Sequence, residues 1–173
     1  HRLIDKHYVM YDNVVRVPLL LRWPEAFPGG IIRDEFVTHA LDLAATACDV
    51  TGLPIPDTYA GRSLLPICKG EQPADWPNDI VAVYNGAQFG LYMQRMIRDR
   101  RYKYVWNPTD VDELYDLQAD PDELHNLIEH PAHAQALADL RQRLLERLTA
   151  QRDALVTNEW TRRQLADGHK LAR

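Results

Sequence analysis

Cysteine, long apolar runs and excess basic charge are all scarce in this chain of 173 residues. Its two cysteines, Cys48 and Cys68, form neither a disulfide framework nor a Cys-x-x-Cys metal motif. The longest apolar run, residues 17–21, is far shorter than the roughly 20 residues that span a bilayer. A net charge of -5 does not favour nucleic acid or an anionic membrane, so neither partner is expected. What is present, 46% apolar and 26% charged residues, is typical of a soluble globular chain.

The first half of the chain is punctuated by proline and glycine. Residues 1–24 end in Val-Pro-Leu-Leu-Leu-Arg-Trp, a continuous apolar run typical of a strand buried on both faces of a parallel sheet. A helix is predicted over 42–50, with Asp42 as its N-cap. Its buried face is expected to carry Leu41, Ala45 and Cys48. Residues 53–79 predict a surface loop with only short structure.

The second half predicts a sheet and a helix. Four short strands are predicted over 79–84, 92–98, 102–106 and 113–117, and their short links favour antiparallel neighbours. In the third strand the aromatic side chains are expected to face a core, while Lys103 meets water. A long helix is predicted over 131–157, because leucines recur at three- and four-residue steps: Leu137, Leu140, Leu144 and Leu148. The pattern therefore predicts a four-stranded antiparallel sheet covered by one helix.

Two motifs give the chain a family resemblance. The first reads Glu-Leu-Tyr-Asp-Leu at 113–117, Asp-Pro at 120–121, Glu123 and Asn-Leu at 126–127. The second has Lys6, Tyr-Asp at 11–12 and Arg-Val-Pro-Leu-Leu-Leu-Arg-Trp-Pro at 16–24. Gly-Arg-Ser-Leu-Leu-Pro at 61–66 and Tyr-Lys-Tyr at 102–104 lie between them. Together they resemble the sulfatase family of the alkaline phosphatase superfamily, and the C-terminal domain is similar to that of N-sulfoglucosamine sulfohydrolase.

The resemblance implies an α/β fragment from the C-terminal part of an arylsulfatase-like hydrolase. Residues 1–79 would end the alkaline phosphatase-like core, and residues 80–157 would form an α+β subdomain of sheet and long helix. Residues 158–173 would be a basic, solvated tail. No leader segment precedes His1, but a chain whose natural start lies upstream would have lost one, so cytoplasm and periplasm both stay open.

The resemblance also implies chemistry that the chain does not encode. The family's nucleophile is a formylglycine made from the pattern Cys/Ser-x-Pro-x-Arg, and a divalent cation, usually calcium, binds beside it. Cys48, Cys68 and Ser63 all lack the required proline. The family's Asp-His-Gly or Asp-Asn-Gly segment does not occur either, and Asp-Gly-His at 167–169 has the wrong order. We therefore assign no metal ligand, and we expect calcium and formylglycine to belong to an upstream sulfatase core.

One lysine fits the family's active site. Residues 1–6, His-Arg-Leu-Ile-Asp-Lys, occupy the register of the family's His-Gly-Leu-Trp-x-Lys, with Arg2 and Ile4 departing from the commonest residues. The resemblance predicts that Lys6 binds the sulfate, because a fixed ammonium stabilises the negative charge that develops on its oxygens. A solvated lysine is the alternative. By the same register His1 is a substrate-binding residue, or else a flexible chain end.

Three functional hypotheses stay open. The first is a sulfuric ester hydrolase acting on a small-molecule or sugar sulfate ester, with this chain inactive on its own. The second is a noncatalytic module, truncated or split, that docks onto a partner carrying the nucleophile. The third keeps the scaffold but changes the chemistry to phosphonate or phosphate esters.

Two charged segments have bland interpretations beside functional ones. The basic cluster of Arg98, Arg100, Arg101 and Lys103 either attracts an anionic substrate or forms the solvated, protected edge of a sheet. The acidic run at 120–123 predicts a turn that feeds directly into a helix, where negative charge favours the helix start.

Overall fold

The computed structural model describes residue 1 and residues 8–86 and 92–168. The chain separates into two units, one made of residues 1–17 and 81–173 and the other of residues 18–80. Four strands are present: β1 (Ile80–Asn85), β2 (Met93–Arg98), β3 (Tyr102–Trp106) and β4 (Glu113–Asp116). The α-helices are α1 (Asp12–Val15), α2 (His39–Val50), α3 (Leu65–Cys68), α4 (Ala134–Ala150), α5 (Ala154–Thr157) and α6 (Glu159–Asp167). No helix in the described ranges has the length and apolarity needed to cross a membrane.

The four strands form one sheet in the order β1-β2-β3-β4, which confirms the sequence prediction. The pairs β2–β3 and β3–β4 are antiparallel, with Met96 opposite Val105 and Val105 opposite Glu113. Because side chains alternate along a strand, these three residues share one face of the sheet. Tyr104, opposite Leu114, lies on the other face.

The predicted leucine stripe packs on the face of Tyr104. All four leucines of α4 are buried, and they form one core cluster with residues of the strands and of the last two helices, namely Ile97, Tyr104, Trp106, Leu114, Val156 and Leu165. At about 25 cal/mol per Å² of apolar surface removed from water, a fully buried leucine contributes roughly 1.5–3 kcal/mol. This cluster is therefore the main apolar support of the sheet.

The long helix predicted over 131–157 is wrong at both ends. A 3₁₀ turn, Pro131–His133, precedes α4, and α4 stops at Ala150. Arg152 then takes a left-handed conformation with φ 53°. Its N–H donates to the Thr149 carbonyl, and the N–H of Asp153 donates to the Leu148 carbonyl. This is the hydrogen-bonding pattern that ends many helices at a glycine, here built on an arginine that gives no such signal.

The basic tail expected from residue 158 onward is also corrected. Residues 159–167 form α6, which begins at the N-cap Asn158 and ends at Gly168 in a left-handed conformation. Leu165 is fully buried in the core cluster. One apolar side chain among many charged ones was too weak a pattern to predict a helix, although Asn158 and Gly168 are its usual start and stop residues.

The strand predicted at the end of residues 1–24 does not form. Residues 16–23 have no regular secondary structure, and Leu20 is 90% exposed. Residues 18–79, all of which the structure describes, contain no strand. A strand of a parallel sheet is defined by hydrogen bonds to its neighbours, so an apolar run alone is not sufficient.

The helix predicted over 42–50 starts three residues earlier, at His39, and its N-cap is Thr38. Asp42 is buried inside the helix instead, where its carboxylate accepts hydrogen bonds from the backbone N–H of Thr38 and of Arg62 (2.6 and 2.8 Å). Of the expected buried face, Ala45 is fully buried, Cys48 is partly buried and Leu41 is 47% exposed. The loop over 53–79 contains only the short α3, as predicted.

Candidate functional site

The two residues predicted to bind sulfate have different outcomes. Lys6 lies outside the described residues, so its role stays a prediction. His1 is described and exposed, and its ring stacks on Tyr11 with 3.8 Å between ring centroids. Its Nε2 donates to the backbone carbonyl of Asp122 at 2.7 Å. His1 therefore contacts the turn after β4, and the substrate-binding role proposed for it also stays untested.

The lysine that the structure does describe at a charged cluster is Lys103, on β3. It is fully buried, and its Nζ lies 2.5 Å from Asp12 Oδ1 and 2.6 Å from Glu123 Oε1. The same ammonium donates to the backbone carbonyl of Met10 at 2.9 Å. The prediction that Lys103 meets water is wrong, because residues near Met10 cover the face of the sheet opposite α4.

Lys103, Asp12, Glu123 and Arg98 form a balanced group of two positive and two negative charges, which we call the ion cluster. Arg98 pairs with Asp12 Oδ2 at 3.1 Å, and the second carboxylate oxygen of Glu123 accepts from the backbone N–H of Asp12 at 2.6 Å. Burial alone would raise the pKa of Asp12, but Lys103 and Arg98 outweigh it and hold that pKa below its usual range. The ion cluster therefore fastens the N-terminal segment to the sheet in its charged form.

Glu123 reaches the ion cluster from an unusual backbone. The acidic run at 120–123 forms turns as predicted, but no helix follows until α4, so that part of the prediction is wrong. Glu123 itself has φ 55° and is 3% exposed. A left-handed conformation is unfavourable for a residue with a Cβ. The conformation is held because it directs the carboxylate at Lys103 and at the N–H of Asp12.

The basic cluster predicted on β2 and β3 is divided by the structure. Lys103 and Arg98 belong to the ion cluster, so the solvated-edge interpretation is wrong for Lys103. Arg101 remains half exposed and pairs with Asp116 at 2.8 Å, which fits that interpretation. Arg100 is exposed. The cluster therefore presents no joint anion-binding surface.

A cleft of about 360 Å³ opens on the same face of the sheet as Lys103. Tyr8 and Tyr92 line it and stack with 5.4 Å between ring centroids and 9° between ring planes. Tyr11 and Tyr115, also in its lining, meet edge to face at 6.0 Å. Carboxamide and carboxylate side chains complete the polar part of the lining: Gln94, Asn107, Asn126, Asp110 and Glu113.

A chain of hydrogen bonds runs beneath this cleft. Gln94 donates from Nε2 to Asn107 Oδ1 at 2.7 Å, and Asn107 donates from Nδ2 to Glu113 Oε1 at 3.1 Å. The hydroxyl of Tyr115 donates to Glu113 Oε2 at 2.8 Å. Burial is the main cause that raises the pKa of Glu113, with Glu123 adding to it. The pKa of the Tyr115 hydroxyl is also raised, first by burial and then by Glu113.

Sequence reasoning missed both groups, although part of the signal was present. Asp12 and Glu123 each stand inside one of the two motifs that carried the resemblance, and a charged residue within a motif is a fair candidate for an ion pair. The pairing itself joins residues far apart in the chain, which a local pattern does not reveal. The carboxamides Gln94 and Asn107 belong to no motif and gave no signal at all.

Metal chemistry finds no support in the part of the chain that the structure describes. No group of three or more His, Cys, Asp or Glu side chains there is arranged to hold an ion. Burial raises the pKa of the Cys68 thiol, which makes it a poorer nucleophile. Calcium and formylglycine accordingly stay expectations about a complete sulfatase.

Comparison with known proteins gives a consistent family. The family model described as "N-sulphoglucosamine sulphohydrolase, C-terminal" matches residues 1–151. A delta 4,5-hexuronate-2-O-sulfatase of Bacteroides thetaiotaomicron is 33% identical over 156 residues, which cover 88% of this chain and 32% of that protein. The chain thus spans about a third of the length of this curated relative.

Solved structures agree at the level of fold. A 2-O GAG sulfatase superposes with a TM-score of 0.63 at 32% identity, covering 69% of this chain and 26% of that one. A phosphonate monoester hydrolase of Agrobacterium radiobacter superposes with a TM-score of 0.61 at 30% identity, over 69% of this chain and 26% of its own. Both resemble this chain over a minor part of their own length.

Proposed function

Because this chain belongs to the sulfatase family, in its N-sulphoglucosamine sulphohydrolase C-terminal branch, we propose that it is the C-terminal part of a sulfuric ester hydrolase. In this proposal the nucleophile and the metal ligands come from sequence outside these 173 residues. The substrate is a sulfate ester, and the partner of the chain is the upstream sulfatase core.

The ion cluster is the observation that supports the proposal best. Asp12 is six residues after Lys6, and its carboxylate and its backbone N–H are both held by the sheet through Lys103 and Glu123. Positioning a charged group relative to a substrate accounts for a large part of enzymatic rate acceleration. We infer that the sheet holds the segment leading back to Lys6, so that its ammonium has a defined position.

Lys6 would act on the charge of the reacting group. As the ester bond breaks, negative charge builds up on the sulfate oxygens and on the leaving oxygen. An ammonium fixed beside these oxygens stabilises the transition state more than the ground state. His1, with one ring nitrogen held by Asp122, would line the same region as a secondary contact.

The test uses the reading frame that contains this chain, extended upstream through a Cys/Ser-x-Pro-x-Arg motif. We expect Lys6→Ala in that protein to lower kcat for 4-nitrophenyl sulfate by about 10²–10³, the usual cost of removing one charge-stabilising donor. Lys69→Ala, at an exposed lysine on the residue 18–80 unit, is the matched control and should leave kcat unchanged. The 173 residues alone should show no turnover above buffer.

Two outcomes would replace the proposal. Metal-dependent turnover by the 173 residues alone would contradict the missing nucleophile. A reading frame that begins at this chain would instead favour the noncatalytic docking module. The phosphonate monoester hydrolase neighbour is the specific observation behind the third hypothesis, and a higher kcat/KM for phenyl phosphonate esters than for sulfate esters would establish it.

A further inference from the structure

The cleft above Gln94 has a lining that does not suit sulfate. None of its described lining residues is Lys, Arg or His, whereas Asp110 and Glu113 are acidic. Lys103 acts electrostatically on Glu113, but its charge is already neutralised by Asp12 and Glu123. An anion entering the cleft would therefore meet like charge without a compensating cation.

The rest of the lining suits a ring that carries hydroxyl groups. The paired faces of Tyr8 and Tyr92 offer a flat apolar platform, and amphipathic aromatic rings commonly contact the apolar face of a ligand. Beside them stand carboxamides and carboxylates, which accept and donate several hydrogen bonds over a short distance. An uncharged polyhydroxylated ring has both kinds of surface.

Gln94 adds a specific acceptor at the base of the cleft. It is 7% exposed, and its Nε2 is occupied by Asn107. Its Oε1 is buried and has no hydrogen-bond donor among the described residues. A buried amide oxygen without a donor is unfavourable, so a small outward shift that brought it to a ligand hydroxyl would be repaid. Asn107 is in turn fixed by Glu113 and by the Val111 carbonyl, which sets the orientation of the row.

We propose that this cleft is the subsite for an uncharged, hydroxyl-bearing ring of the substrate, and that Asp110 and Glu113 exclude rings that carry an additional anionic group. The inference rests on the proposed function, because Tyr8 and Tyr11 follow Lys6 closely in the sequence. Lys6 would then take the sulfate while the cleft takes the ring. The raised pKa of Glu113 supports this role, since a less acidic carboxylate is a stronger hydrogen-bond acceptor for a hydroxyl.

The experiment compares two probes that differ in one group, methyl glucoside and methyl glucuronide. Each is titrated into the 173-residue chain, and the side-chain amide signals of Gln94 and Asn107 are followed by NMR. We expect methyl glucoside to shift these signals and to bind about tenfold more tightly than methyl glucuronide, because like charge in a site opposes the wrong ligand. Equal or tighter binding of the glucuronide, shifts confined to other amides, or binding of neither probe would each overturn the inference.

Charge variants test the cause of the selectivity. Asp110→Asn with Glu113→Gln keeps the shape of the cleft and removes both negative charges, so the affinity ratio should fall to about one. Glu146→Gln, at an exposed position on α4, is the matched control and should keep the ratio. A ratio unchanged by the double variant would refute electrostatic exclusion. Hydrolysis is not needed for this readout, so selective ring binding without turnover would count against the proposed function alone.

Discussion

The two units of this protein treat apolar side chains in opposite ways. In the unit of residues 1–17 and 81–173, Leu144 and the other leucines of α4 are buried. In the unit of residues 18–80, Leu20 is 90% and Ile32 94% exposed, and many other large apolar residues are at least a third exposed. Ala45, Leu64 and Ile67 are the buried apolar residues of that second unit.

The second unit is held instead by polar contacts between its backbone and side chains. The hydroxyl of Thr46 accepts from the N–H of Leu64 at 2.8 Å, and Trp76 donates from Nε1 to the Phe36 carbonyl at 2.9 Å. At Gly61 a Cβ would lie 2.2 Å from the carbonyl oxygen of Leu41, so only glycine fits this approach. Such contacts fix local geometry but supply little burial.

The difference indicates which unit is stable on its own. A sheet with a helical core on one face and the ion cluster on the other has its own driving force for folding. Contiguous exposed apolar surface of the kind found in residues 18–80 usually marks an interaction site. We therefore expect this second unit to be covered by the upstream core in the complete enzyme.

The largest change should come from breaking the ion cluster. Lys103→Ala leaves Asp12 and Glu123 buried without their cation, which typically costs about 3–5 kcal/mol. We expect a corresponding drop in the free energy of unfolding, measured by urea denaturation with near-ultraviolet circular dichroism. Lys69→Ala, in the other unit, is the control and should change stability by less than about 0.5 kcal/mol. Similar small effects for both variants would contradict the role given to Lys103.

A pair of leucines tests the contrast between the units directly. Leu144→Ala removes a fully buried side chain from the core cluster and should cost about 2–5 kcal/mol. Leu20→Ala, the same change at a 90% exposed position, should cost less than about 0.5 kcal/mol in this chain. If the two variants unfolded at the same urea concentration, the two units would not differ in the way proposed.

Asp12 gives the comparison a dependence on pH. Its pKa is lowered in the folded state, so its stabilising effect is present above the unfolded pKa of about 4 and is lost as pH falls through the folded value. Asp12→Asn should cost about 2 kcal/mol at pH 7, and the difference from the parent protein should shrink toward pH 3. Asp139→Asn, exposed on α4, is the control. A difference that stays constant from pH 7 to pH 3 would rule out the charge as its cause.

Local patterns were enough to predict the sheet and the leucine face. The alternation of Tyr102, Tyr104 and Trp106 marks a strand because it needs information from five residues only, and β3 has the predicted bounds. The end of α4 was missed because its left-handed residue is Arg152, where a glycine would have been the usual signal. The apolar run at 17–23 was misassigned because strand formation depends on neighbours that the run itself does not specify.

The candidate site was less predictable because its contacts are long-range. Lys103 alternates correctly with the aromatic residues of β3, but alternation does not tell whether the second face of the sheet is covered. The cover comes from Met10 and Asp12, about ninety positions away in sequence. Gln94 and Asn107 meet across two different strands' ends for the same reason. Only the family motifs, which place Asp12 and Glu123 in conserved-looking company, pointed toward this face.

The smallest expected effect separates backbone strain from charge at the two described residues other than glycine with positive φ, Glu123 and Arg152. Arg152→Gly relieves the left-handed conformation at the end of α4 and should raise the free energy of unfolding by up to about 1 kcal/mol. Glu123→Gly relieves the same strain but removes the carboxylate that binds Lys103, so it should lower stability. Opposite shifts in the urea midpoint are the expected result. If both variants were stabilising, strain relief would outweigh the ion cluster, and the sheet would not depend on Glu123 to hold the N-terminal segment.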